Sequence, residues 1–117
     1  INIPNLTEIS HFTFNECSSL EEIFIPSSVN LIGKSAFRKC SSLSKVFIEN
    51  NSSLSSIEEH AFSGCSKLNE ILIPSSVNSI GSKAFFNCKS LNQIKIPSSV
   101  VSIGKNAFPS KTQIIKT

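Results

Sequence analysis

Apolar residues recur along this chain in fixed columns. Phenylalanine stands at Phe14, Phe37, Phe62, Phe85 and Phe108, at steps of 23, 25, 23 and 23 residues. Cysteine follows three residues later each time, at Cys17, Cys40, Cys65 and Cys88, except after Phe108. Leucine comes three residues after that, at Leu20, Leu43, Leu68 and Leu91. Then come Ile23, Val46, Ile71 and Ile94, and two residues on Ile25, Ile48, Ile73 and Ile96. Ile9, Ile32, Ile57, Ile80 and Ile103 form the closing column. Columns held in phase over a whole chain are the signature of a structural repeat. The cleanest unit reads C-x-x-L-x-x-I-x-I-P-S-S-V-x-x-I-G-x-x-A-F-x-x.

Two periodicities divide the unit. Leu20 to Ile25 alternates, so Ile23 and Ile25 face one way and Glu22 and Phe24 the other, as in a strand. Pro26, Pro74 and Pro97 lack a backbone donor and end that strand, and the Ser-Ser pair after each suits a turn. Val29 and Ile32 give a second short apolar pair, and Gly33 permits a tight bend. Lys34 to Phe37 is too short for a stable α-helix but fits one helical or 3-10 turn. One unit is therefore one turn of a coil. A single coil cannot bury its columns, whereas stacked coils can, with strands about 4.8 Å apart in a parallel sheet. The bulky Phe column is expected opposite the sheet, splaying that side and curving the stack.

The repeat departs from itself in a few places. The third unit replaces Pro-Ser-Ser-Val with Glu49-Asn50-Asn51-Ser52-Ser53-Leu54, two residues longer. A turn absorbs such an insertion because closing a slightly longer loop costs little. Ile3-Pro4-Asn5-Leu6 resembles the same turn with one residue missing. Pro109 and Ser110 follow Phe108, and Ile114 and Ile115 supply a last strand-like piece.

Composition follows from the copying. The 117 residues include 24 Ser and 9 Phe but no Trp, Tyr, Met or Asp. Five of the phenylalanines are one column and the serines are turn filler. Residues 1–70 hold all eight glutamates against five basic residues, a balance of −3, while residues 71–117 hold six lysines and no acid. The basic end lacks the arginine forks and interleaved aromatics of a nucleic-acid surface, so no nucleic acid is expected as partner. The apolar runs are too short to span a membrane, which argues against insertion, and the parts of a signal peptide are missing.

The pattern resembles the BspA-like class of leucine-rich repeats, found in surface proteins of bacteria and anaerobic protozoa. Leu20, Ile23, Ile25, Pro26, Val29, Ile32, Gly33, Ala36, Phe37 and Cys40 carry the resemblance, with their counterparts about one unit on. It covers essentially the whole chain. It implies an α/β-type leucine-rich repeat solenoid: a curved right-handed horseshoe of about five coils, each of 23–25 residues. A parallel sheet would line the concave side, with turns and short helical or 3-10 pieces on the convex side. It also implies adhesion to host proteins, cells or other microbes, at a cell surface or after secretion. A cytosolic location stays open, and the family brings no catalytic residues. Glu49 for Pro, Glu58 for Gly, Thr13 for Ala and the missing last Cys depart from the pattern at loops and ends. Residues 1–117 are read as one solenoid, without obvious caps, and as a piece of a longer array.

Candidate chemistry is sparse. Cys17, Cys40, Cys65 and Cys88 would lie along a line, and four ladder rungs cannot surround one tetrahedral metal. Buried free thiols are the expected state, although neighbouring rungs come near the spacing of a disulfide. No metal or other cofactor is expected. His11 precedes the first Phe element, and His60 is read in the matching slot before Ala61, two coils away. The adjacent glutamates of Glu21-Glu22 and Glu58-Glu59 face opposite ways on a strand and make no carboxylate dyad. Without aspartate there is no Asp-based triad, and an enzyme is not expected.

The outward strand positions are the binding candidates. One column reads Glu22, Lys45, Glu70 and Gln93; the next reads Phe24, Phe47, Leu72 and Lys95. In the first, alternating charges are expected to aid stacking slightly. In the second, three exposed apolar residues in adjacent coils make a stripe suited to a protein ligand. A structural or self-associating module without a specific ligand is the other reading. Asn5-Leu6-Thr7, Asn50-Asn51-Ser52 and Asn51-Ser52-Ser53 are glycosylation sequons that weakly favour a secreted route.

Overall fold

The structure is a computed structural model that describes residues 6–117. The sequon at Asn5 and the turn from Ile3 to Asn5 therefore fall outside the described residues. The chain winds as a β-solenoid whose coils carry a two-residue strand, a Phe-centred turn and a second strand, four residues long except at the two-residue Glu70–Ile71. Two-residue strands β1 (Glu8–Ile9), β3 (Leu31–Ile32), β5 (Ser56–Ile57), β7 (Ser79–Ile80) and β9 (Ser102–Ile103) stack as one parallel sheet. On another side lie β2 (Glu22–Ile25), β4 (Lys45–Ile48), β6 (Glu70–Ile71), β8 (Gln93–Ile96) and β10 (Gln113–Lys116). Their register follows the sequence columns, with Phe24 opposite Phe47 and Val46 opposite Ile71.

The Phe turns form a third hydrogen-bonded ladder. The amides of Phe14, Phe37, Phe62 and Phe85 each donate to an alanine carbonyl of the next coil at 2.7–2.8 Å. The amides between them stay within the coil: Ala36 donates to Gly33 at 3.1 Å and Cys40 to Phe37 at 3.1 Å. This alternation sets aside the expected helical turn, and no helix occurs among the described residues. Its physical cause is a pair of left-handed residues around each buried Phe, such as Ser35 (φ 56°) and Lys39 (φ 60°) around Phe37. A helix needs consecutive right-handed residues, and two φ reversals redirect every second amide to the neighbouring coil. On the two-residue strand side the donors run the other way. Gly33, Glu58, Gly81 and Gly104 donate to isoleucine carbonyls of the preceding coil at 2.7–2.9 Å.

The core lies between these ladders. Phe37, Phe62 and Phe85 are fully buried among the isoleucine, leucine and alanine columns. The five column rings form a continuous stack with centroids 5.1–5.4 Å apart and nearly parallel planes. Paired strands repeat every 4.7–4.9 Å. The strands from β2 to β10 line the concave side of the solenoid.

That concave sheet has a seam. β2, β4 and β6 form one sheet and β8 and β10 another, with no strand pairing between β6 and β8. Asn69 N–H donates to Ser44 O across the preceding step at 3.2 Å, and Asn92 makes no corresponding backbone bond to Asn69 among the described residues. The coils remain stacked there through the Phe62–Phe85 ring pair and the β5–β7 strands.

Candidate functional site

Alternation along β2 and β4 turns Ile23, Ile25 and Val46 inward and leaves Glu22, Phe24, Lys45 and Phe47 outside. Phe24 and Phe47 stack on each other with centroids 5.3 Å apart, yet remain 53% and 38% exposed. Leu72 continues the stripe at 67% exposure. Ile23, Ile25 and Val46 beside the two rings in β2 and β4 are buried, so the sheet pleat, not loose packing, puts Phe24 and Phe47 in water.

A groove of about 540 Å³ runs along the stripe. Phe24, Phe47 and Leu72 give it an apolar floor, and Lys45 and Glu70 stand beside them. The 49–54 insertion walls one end through Glu49, Asn50 and Asn51. Glu49 is fixed by accepting the Ser27 N–H at 2.8 Å, which replaces the stiffness of the missing proline. Ile48, the counterpart of fully buried Ile25, is only half-buried and also lines the groove. Glu49, Asn50, Asn51 and Ile48 were not among the sequence candidates, although the break in the repeat marked their place. Gln93 and Lys95 stand across the seam and line a separate slot with Glu70 and Leu72. Glu22 belongs to the same face without lining the groove.

The charge column alternates in sign without forming close pairs. The register sets Lys45 between Glu22 and Glu70. Even so, the side-chain charge contacts among the described residues are the Lys34–Glu59 ion pair at 3.3 Å and a contact of His11 Nε2 with Glu58 at 3.4 Å. The histidines differ from expectation. The register of Ile9, Ile32 and Ile57 sets His11 in the column of Lys34 and Glu59, while His60 sits one column on, at a left-handed position. His11 reaches Glu58 two coils away because Gly33 lies between them; a Cβ there would come within 2.7 Å of the His11 ring.

The four cysteines are free thiols, with Cys17 half-buried and Cys40, Cys65 and Cys88 fully buried. Each buried Sγ donates to the Phe carbonyl of the preceding coil at 3.1 Å: Cys40 to Phe14, Cys65 to Phe37 and Cys88 to Phe62. Burial pushes the Cys40 thiol up to about 11 and Cys88 to about 12, and raises Cys65 as well. A thiol held neutral is a poor nucleophile and metal ligand. The column is thus a set of small packing groups with one hydrogen bond each.

Residues 1–115 match the BspA-type leucine-rich repeat region in six copies. The chain belongs to the BspA-type leucine-rich repeat family. Solved structures bear this out along the whole solenoid. A leucine-rich repeat protein from Bacteroides ovatus is 33% identical with a TM-score of 0.86, covering 100% of this chain and 31% of that one. The leucine-rich repeat protein of T. pallidum is 36% identical with a TM-score of 0.83, covering 91% of this chain and 50% of the other. A leucine-rich cell surface protein from Faecalibacterium prausnitzii is 31% identical with a TM-score of 0.86, again covering 100% and 31%. This BspA-type chain therefore spans between 31% and 50% of the length of those structures. No curated protein matches it. No helix of the described residues is long and apolar enough to cross a membrane.

Proposed function

We propose that this BspA-type chain is a protein-binding module that takes its partner on the concave strand face, in adhesion or partner recognition at a cell surface. The observation that carries the reading is the Phe24–Phe47–Leu72 stripe, two strand residues and one just past the end of β6, all large, apolar and exposed beside a buried core. Scattered apolar residues on a surface are ordinary, but a contiguous stripe beside a groove is a feature of interaction surfaces. The surface location draws support from the Faecalibacterium relative, which is described as a cell surface protein. Catalysis has no part in this reading, since the groove gathers no nucleophile and base.

The test uses the intact chain and a variant with Phe24, Phe47 and Leu72 changed to Ser. Phe24 and Phe47 project outward from the sheet and Leu72 from the segment just after β6, all three exposed, so the variant is expected to keep its far-UV spectrum and cooperative unfolding. Against a panel of immobilised extracellular-matrix and cell-surface proteins, the parent binds at least one, and the variant binds it at least about tenfold more weakly. Equal affinity of the two proteins contradicts the reading. A shift from dimer to monomer in light scattering, without loss of any ligand, favours a self-associating module instead.

A further inference from the structure

The groove has a charge as well as an apolar floor. Glu49 and Glu70 line it against Lys45, an excess of one negative charge, and Glu22 and Lys95 flank it on either side. Glu49 is committed to the Ser27 amide. Glu70 is exposed, and among the described residues it makes neither an ion pair nor a side-chain hydrogen bond. Glu70 and Leu72 point out from the same extended segment, two residues and about 6.6 Å apart. A second extended chain lying along that segment presents its own outward side chains at the same interval. The seam cannot admit such a chain edge-on. Entry would open the coils by a further strand spacing of about 4.8 Å, whereas the Phe62 and Phe85 rings hold them at 5.3 Å. The segment must therefore lie across the face. A carboxylate rim repels phosphate, which disfavours nucleic acid and anionic lipid.

We propose that the groove takes an extended segment of a protein partner in which a basic and an apolar side chain stand two residues apart. The apolar side chain rests on Phe47 and Leu72, and the basic one meets Glu70. This rests on the strand face being the binding surface. The 49–54 insertion, present in one coil only, closes the end of the groove and makes this coil the one that reads the segment.

The experiment selects phage-displayed random heptapeptides on the immobilised full chain. Enriched sequences are expected to carry Lys or Arg two positions from Phe, Leu, Ile or Trp. A synthetic enriched peptide should bind F47S about tenfold more weakly and E70Q about threefold to fivefold more weakly. Selection on E70K should favour acidic residues at the basic position. Apolar peptides that bind through Phe47 but ignore E70Q and E70K overturn the basic–apolar pair and leave the strand face standing. Peptides indifferent to both F47S and L72S overturn the strand face itself, and failure to enrich any sequence overturns the pair. The chain has a competing occupant of its own in the exposed Phe86, over whose ring Lys83 lies at 5.6 Å. Self-association lost on combining K83A with F86S, and equally lost in F47S, would give the groove to a second copy and overturn the proposal.

Discussion

Each buried thiol in the Cys40–Cys65–Cys88 column donates a hydrogen bond to a phenylalanine carbonyl one coil back. Desolvation is the largest cause of their raised pKa values. The unfolded chain has no such burial, so it loses thiol protons at lower pH than the folded one. Stability from this source is intact below the ordinary thiol value of 9.0 and falls as pH climbs from there toward about 11, the value for Cys40. Chemical unfolding at stepped pH should show that decline, and it should be shallower in a Cys40→Ala variant. An aromatic disulfide reagent at pH 8 should label Cys17 first and reach the other three only on unfolding. The column itself was legible from spacing. The acceptor of each thiol was not, because it depends on left-handed residues that carry no common signal. Phe12, Ser35, His60, Lys83 and Asn106 share one such column and differ in every chemical respect. Only Gly64, His60, Asn87 and Asn106 are types that favour such angles.

At the level of elements, the Phe stack and the three ladders tie each coil to its neighbours. A central ring touches two others and a terminal ring touches one, so the array is coupled in nearest-neighbour fashion. Phe62→Ala should cost about 3–5 kcal/mol, since a fully buried ring leaves a cavity between two others. Phe108→Ala should cost clearly less, because Phe108 is half-buried and ends the stack. Urea unfolding of the two variants checks the order. The seam gives a second expectation. Phe47 lies in the registered β2–β4 pair, whereas Gln93 lacks a paired strand on its β6 side. The Gln93 amide should exchange with deuterium faster than that of Phe47. Strand positions were readable because a two-residue alternation leaves little choice of face. The seam was not readable, since the sequences flanking it, Ile71-Leu72-Ile73 and Ile94-Lys95-Ile96, keep the repeat pattern intact.

For the whole molecule, the repeat makes most positions answer to stacking and leaves few free to carry specificity. The outward strand residues and the one insertion are those few. The stripe of Phe24, Phe47 and Leu72 could be read from the sequence once the register was known. Its groove could not, because the groove depends on how the 49–54 insertion folds back against Ser27. The measurement closest to the central claim is amide chemical-shift mapping on the isotope-labelled full chain, titrated with a peptide enriched by selection. Shifts confined to β4, β6 and residues 49–54 are the predicted result. Shifts that fall instead on the Phe turns or on the sheet from β1 to β9, with the stripe unmoved, would contradict the assignment of the concave strand face as the binding surface.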